Sequence, residues 1–284
     1  MLLIDSDHYD RHGIETMFFP GGEPHIKLPK KFNANRDYIK LFLKLRTWND
    51  VGIAVCLLDT LDRRDEDVTD VFIPYFPGAR QDKALDRYSP YTVSIMERAL
   101  GGGAPLSVFD PHSAVLESIA SLRHVYDFCD LRYDVDPEEP VVGIIAPDAG
   151  AVYRAQRFRE QFYPDAALVK CEKVRNQRTG QITHYEMGDL YEEGTYIVVD
   201  DICDGGGTFN LLAEAFDADE LGKSSNLELI VSHGIFSKGL DAVSPRYRKI
   251  VTTDSWCRLP SSGRLKVMPL LSLLTDTPEE LTNA

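Results

Sequence analysis

The sequence predicts an α/β fold, with two tandem domains whose parallel sheets are flanked by helices. Three observations predict it. Short Val- and Ile-rich runs bounded by Asp, Gly or Pro recur along the chain, at 52–58, 68–74, 106–109, 141–146, 167–169, 196–199 and 227–232. Stretches of helical period lie between them. Near the middle of the 284 residues, an acidic stretch with two prolines, DLRYDVDPEEP at 130–140, interrupts the apolar pattern.

Taken in order, each run is apolar on both faces, as a strand covered by helices requires. Helices are expected at 89–100, where Val93, Met96, Ala99 and Leu100 share a face, and at 150–162, where Val152, Ala155, Phe158 and Phe162 do. A third is expected at 208–216, with Leu211, Leu212 and Ala215. The interruption divides the chain into expected domains 1–137 and 138–284, and the terminal LKVMPLLSLL is expected to pack back onto the first half. Both halves carry an apolar strand followed by an Asp and a short turn, VFDPH at 108–112 and IIAPDAG at 144–150.

Charge narrows the function. Lys plus Arg number 31 against 45 Asp plus Glu, a net charge of -14. That balance disfavours nucleic acid and anionic membranes as partners, which need a basic footprint. It does not disfavour a nucleotide, which local backbone amides, a few cations and a divalent metal can hold. Cys56, Cys129, Cys171, Cys203 and Cys257 are odd in number and have no CxxC spacing, so neither a zinc site nor a disulfide framework is expected. The start, MLLIDSDHYD, is charged at once and unlike a secretory leader, and no run of about 18 apolar residues exists. A reduced, cytoplasmic location is expected.

Residues 196–209 read YIVVDDICDGGGTF. An apolar strand runs into two carboxylates, then a glycine-rich loop, then an amphipathic helix. Carboxylates accept hydrogen bonds from vicinal hydroxyls and bind magnesium directly or through water. Gly205, Gly206 and Gly207 have no Cβ, so their amides can approach an anion. Thr208 adds a hydroxyl, and the helix points its positive end at the same spot. The plain alternative is a strand-to-helix turn with solvated acids; the ordered combination of strand, diacid, glycine loop and helix points to a phosphorylated sugar.

This segment resembles the phosphoribosyl diphosphate (PRPP) motif shared by phosphoribosyltransferases and PRPP synthetases, and six further segments resemble the synthetases, the ribose-phosphate diphosphokinases. FFPGGE at 18–23 is similar to the synthetase FSDGE loop, and VFIPYFPGARQDK at 71–83 to its ATP-binding strand and loop. FDPHS at 109–113 resembles its DLH motif, APDAGAVYRA at 146–155 its SPD-GG-RA segment, and KVR at 173–175 its catalytic-loop KRR. VSHGIFS at 231–237 resembles a downstream THGxFS element.

The resemblance implies two phosphoribosyltransferase-like domains. It implies ATP and ribose 5-phosphate as substrates, with Mg2+ as cofactor, and transfer of the β,γ-diphosphoryl group to the anomeric hydroxyl. Lys173, Arg175 and His112 become catalytic, the first two from a mobile flap within EKVRNQRTGQITHYE. ATP falls to Phe19, Glu23, Arg80, Gln81 and Lys83, with Arg80 and Phe19 stacking on adenine and Phe19 serving a neighbouring subunit. Asp200, Asp201, Asp204, Gly205, Gly206, Gly207 and Thr208 hold the ribose and its phosphate. His112 and Asp148 attend the metal, with lesser weight on Asp110. A homodimer or higher homo-oligomer is implied.

The departures from the family pattern are specific. Gly205 stands where Thr is usual, which removes a hydroxyl and is expected to open space beside the 5-phosphate. Gly21 replaces an acid that usually reads the adenine amino group. Lys83 stands where Arg is frequent, Val174 replaces the middle cation of KRR, and the chain is short for the family. A wider phosphate pocket would admit ADP-ribose, giving ADP-ribose 1-diphosphate, as in phage-type enzymes linked to NAD rebuilding. A PRPP-consuming phosphoribosyltransferase, which would not need the ARQDK and KVR elements, and an inactive regulatory homologue, against which the retention of Lys173, Arg175, His112 and both acids argues, are the other readings.

Overall fold

The computed structural model describes residues 1–35, 37–84, 86–100, 104–119, 121–131, 140–175 and 182–275. The chain forms two compact units, one of Met1–Asp127 with Leu270–Ala284 and one of Phe128–Pro269. The acidic interruption lies mostly outside the described residues. No helix among the described residues is long and apolar enough to cross a membrane.

In the first unit, β1 (Leu2–Asp5), β4 (Ile39–Phe42), β5 (Val68–Ile73), β6 (Leu106–Phe109) and β7 (Leu122–Tyr126) form a sheet in the order β1-β4-β5-β6-β7, with every pair parallel. β2 (Glu15–Phe18) and β3 (Pro24–Lys27) make a separate antiparallel hairpin. The helices are α1 (Trp48–Arg63) and α2 (Thr92–Leu100). Ile4, Ile39, Leu41, Leu57, Val71 and Leu106 are fully buried in this core.

The run at 52–58, expected as a strand, is the middle of α1. Seven apolar residues have no period that separates a buried strand from a helix, so the flanks decide. The Thr47 Oγ1 accepts from the Asp50 amide at 3.2 Å while Asp50 Oδ2 accepts from the Thr47 amide at 2.7 Å. This reciprocal cap starts a helix that buries Val51, Ala54, Leu57 and Leu61 on one face.

In the second unit, β8 (Val141–Ala146), β9 (Ala167–Lys170), β12 (Thr195–Cys203), β13 (Asn226–Gly234), β14 (Tyr247–Thr253) and β15 (Leu265–Met268) form a parallel sheet in the order β15-β14-β13-β12-β8-β9. β10 (Glu172–Arg175) and β11 (Ile182–Glu186) form an antiparallel hairpin. α3 (Val152–Phe162) joins β8 to β9, while α4 (Gly207–Ala218) and α5 (Glu220–Ser224) join β12 to β13. α4 buries Phe209, Leu212, Ala213 and Phe216, spaced i, i+3, i+4 and i+7. Burying each large side chain stabilises by about 1.5–3 kcal/mol. Of the terminal apolar segment, Leu265–Met268 completes this sheet as β15, whereas the residues from Leu270 onward cluster with the first unit, where Lys40 Nζ donates to the Leu274 carbonyl at 3.0 Å.

This sheet has a switch point. The chain leaves β8 toward β9 on one side and leaves neighbouring β12 toward β13 on the other. Loops at the carboxyl ends of such a strand pair diverge and leave a crevice, the usual ligand position in open α/β sheets.

Candidate functional site

The glycine loop leaves β12 at this switch point. Gly206 has a φ of +78°, a left-handed conformation open to glycine at low cost, and it caps α4. The cap residue itself, a glycine, makes no side-chain hydrogen bond, and the loop leads into the anion-favouring end of the helix. Gly207 has no neighbouring heavy atom within 4 Å of the place its Cβ would occupy, so the loop is open there.

Asp200 and Asp201 end the buried part of β12. Their side chains are 13% and 9% exposed, and the Asp200 Oδ1 accepts from the Asp201 amide at 2.9 Å. The Arg154 guanidinium, from the first turn of α3, lies 3.8 Å from Asp200 and 3.9 Å from Asp201. Burial pushes the Asp200 carboxyl well above the usual carboxylate range and the Asp201 charge adds to this, with Arg154 only partly opposing them. The pair therefore resists carrying two negative charges at once. Cys203, buried one turn of chain further, has its thiol pushed up to about 12 by burial and by the charges of Asp200 and Asp204, so it stays an inert thiol.

Asp148 follows β8, on the neighbouring strand. Its Oδ1 accepts from the amides of Gly150 and Ala151, at 2.8 and 3.1 Å, and its Oδ2 pairs with the Lys173 ammonium of β10. Burial opposes its ionisation, but the Lys173 hydrogen bond and charge outweigh this and hold the carboxyl below its ordinary value. The Arg175 side chain, and residues 176–181 of the expected flap, lie outside the described residues. On β11, Tyr185 is 6% exposed. Its hydroxyl lies beside Thr208 but is buried with no well-formed hydrogen bond among the described residues, and burial raises its pKa.

A second segment flanks the loop. Beyond β13, the Ile235 and Phe236 amides donate to the Cys203 carbonyl at 2.9 and 3.1 Å, and the Ser237 amide donates to the Asp204 carbonyl at 3.2 Å. Phe236 has a φ of +47°, rare for a bulky residue. The space expected to open at Gly205 is occupied at its edge: a Cβ there would lie 3.3 Å from Lys238 Cε and 3.4 Å from Cδ. A glycine makes room for whatever packs next to it, and here that is a lysine stem.

The expected ATP-site residues of the first unit sit on two kinds of element. Phe19 and Glu23 close the β2–β3 hairpin, where the Phe19 amide donates to the Glu23 carbonyl at 2.9 Å and Phe19 is 44% exposed. Arg80, Gln81 and Lys83 lie on the exposed loop after β5, with Gln81 Oε1 accepting from the Thr92 hydroxyl. His112 is exposed in the turn after β6, next to β5 in the sheet, and follows Asp110, a buried residue at φ +38°. Both loops leave carboxyl ends of adjacent strands, and the unusual backbone at Asp110 is the kind of strain that clusters at functional sites.

Sequence reasoning missed Arg154, Tyr185 and Lys238. Arg154 is the R of the matched RA segment, and Lys238 directly follows the matched VSHGIFS, so both were adjacent to a visible signal; Tyr185 lies in the polar flap and carried none.

Among the described residues, no three His, Cys, Asp or Glu side chains converge as a metal site. The Asp200–Asp201 pair nonetheless fits magnesium, which is commonly held by one or two carboxylates together with water and substrate phosphate. A divalent cation would offset the burial and the Asp201 repulsion that raise Asp200, and so favour its ionised form.

No protein-family model matches the chain. Curated relatives do. The chain is 23% identical over 270 residues to a ribose-phosphate pyrophosphokinase of Mycoplasmopsis pulmonis, covering 92% of this chain and 82% of that one. It is 24% identical to the enzyme so named from Sulfurisphaera tokodaii, covering 87% and 86%, and 26% identical to that from Maricaulis maris, covering 89% and 84%. In fold it is similar to the phosphoribosylpyrophosphate synthetase of Mycobacterium smegmatis, with a TM-score of 0.74 at 17% identity over 99% of this chain and 97% of that one. Aligned along most of its length with these proteins, and carrying their α/β architecture, the chain is a divergent homologue of the ribose-phosphate pyrophosphokinase family.

Proposed function

We propose that the chain transfers the β,γ-diphosphoryl group of ATP to the anomeric 1-hydroxyl of ribose 5-phosphate, giving PRPP and AMP. The observation that carries this reading is the switch-point loop, where a glycine-rich turn joins the paired acids Asp200 and Asp201 to the N-terminus of α4.

In this mechanism the amides of Asp204–Thr208 and the Thr208 hydroxyl hold the 5-phosphate. Asp200 and Asp201 accept hydrogen bonds from the ribose hydroxyls, and Arg154 fixes both carboxylates. The 1-hydroxyl oxygen attacks the β-phosphorus, the bond from β-phosphorus to the α,β-bridging oxygen breaks, AMP leaves, and the hydroxyl proton is lost. Lys173 exchanges Asp148 for the migrating group, joined by Arg175 and His112, so the protein's contribution is alignment and charge neutralisation. Asp148, Asp200 and Asp201 are the residues that would hold magnesium, which would supply charge neutralisation on the phosphates. Phe19, Glu23, Arg80, Gln81 and Lys83 hold ATP, and Phe19 acts for a neighbouring subunit in a homo-oligomer.

A second reading keeps the chemistry and changes the acceptor to ADP-ribose. Lys238 beside Gly205 favours it, because a further cation at the phosphate loop suits a further phosphate. The test is AMP release from ATP with ribose 5-phosphate and, separately, with ADP-ribose. AMP formed with neither acceptor contradicts both readings, and ATP-independent transfer from PRPP to a base would identify a consumer of PRPP instead.

A further inference from the structure

We propose that Lys238 binds the phosphate on C5 of the acceptor ribose and replaces, as a cation, the side chain that Gly205 lacks. The inference rests on the acceptor site assigned above and names a residue in it that the family motifs do not include.

Three observations carry it. The first is contact: Lys238 Cε, Cδ and Cγ lie 3.3, 3.4 and 3.7 Å from the Cβ position of Gly205, so the stem lies along the loop and the ammonium is one bond beyond. Any side chain at 205 must displace that stem, which couples the two positions. The second is anchoring. Lys238 sits in a turn closed by the Gly239 amide donating to the Phe236 carbonyl at 2.8 Å, and the Ser237 amide ties this turn to Asp204 at 3.2 Å. Phe236 is held at a φ of +47° while its ring is buried over Gly234, where a Cβ would lie 2.4 Å from the ring. A strained backbone that persists because its surroundings over-determine it places the next residues with little freedom. Behind it, the end of β13 is pinned by the His233 Nδ1 and Ser255 Oγ pair at 2.8 Å. The third is charge. Lys238 is exposed and has no ion pair among the described residues, although Asp204, Asp200 and Asp201 share the loop. A flexible ammonium beside a glycine-rich loop and a helix N-terminus is a phosphate-binding arrangement.

The ligand chemistry is a phosphoryl group on C5 of ribose, either terminal, as in ribose 5-phosphate, or esterified to a nucleoside phosphate, as in ADP-ribose. Calorimetric titration of the full chain and of Lys238→Met with each ligand tests the proposal. Methionine keeps the stem over Gly205 and the site is exposed, so the variant is expected to fold, which circular dichroism checks. The expected result is an affinity about tenfold weaker in Lys238→Met for the ligand that the wild type prefers, with a difference that shrinks at high salt and with ATP affinity unchanged. Gly205→Ala is expected to weaken the same ligand by displacing the stem. Wild-type preference for ADP-ribose that Lys238→Met abolishes identifies the esterified acceptor; a loss confined to ribose 5-phosphate identifies the free one. Equal affinities of wild type and Lys238→Met for both ligands overturn the proposal. If binding depends on Lys238 but the wild type forms no AMP, the lysine assignment stands and the transfer reading falls; the converse result removes the lysine alone.

Discussion

Lys173 of the β10–β11 hairpin is ion-paired with Asp148 at the end of β8. The cation proposed to reach the migrating phosphoryl group is thus held on a carboxylate at the end of β8. Lys173→Ala is expected to lower kcat by about a hundred- to thousand-fold, with a smaller effect on the KM for the acceptor, because the charge is used in the transition state. Steady-state kinetics check this, and a change confined to KM would contradict it.

Asp200 shows the opposite balance. Its carboxyl is raised by burial and by Asp201, so the folded state holds a proton that the unfolded chain releases at lower pH. A raised carboxyl costs the folded state stability once the pH exceeds the unfolded value, and the cost grows until the folded value is reached. Asp200→Asn is therefore expected to raise the melting temperature of the ligand-free protein at pH 7–8, to differ little from wild type near pH 4, and to lose transferase activity. Thermal melts across that range measure it.

Asp7 titrates the other way. Arg46 donates to both of its oxygens, at 2.7 and 3.1 Å, and Lys44 stands 3.3 Å away. Burial opposes the charge, but these cations outweigh it and hold the carboxyl below its ordinary value. The stabilisation is present above that value and lost as pH falls through the lower folded one. Asp7→Asn should destabilise the protein at neutral pH, and the difference from wild type should vanish in acid.

The cap of α1 gives a stability prediction free of chemistry. Thr47→Ala removes the hydroxyl that accepts from Asp50, and is expected to cost about 1 kcal/mol in chemical denaturation without changing activity.

That cap also explains where the sequence misled. The apolar run at 52–58 reads as a strand by composition, yet the Thr47-x-x-Asp50 pattern before it is a helix start, and capping outranks apolarity in so short a window. Strands β1, β4, β14 and β15 were passed over because they are short or carry charges such as Asp5, Lys40, Arg248 and Lys266 amid their apolar residues. The central strands and the loop after β12 were legible because burial on both faces leaves only Val, Ile and Leu, and because an anion site needs its glycines consecutively. The contacts of Arg154 and Lys238 were not, since Arg154 comes from α3, well before β12, and Lys238 from beyond α4, α5 and β13, far along the chain from the acids and the glycine they meet. Contacts made through the fold leave no spacing in the chain.

Transfer of the diphosphoryl group from ATP is the central claim, and ATP labelled at the β-phosphorus tests it most directly. With ribose 5-phosphate or ADP-ribose and magnesium, the label is expected on C1 of the ribose product, with unlabelled AMP released in equal amount. Label recovered in ADP, or left in ATP with both acceptors, would contradict it.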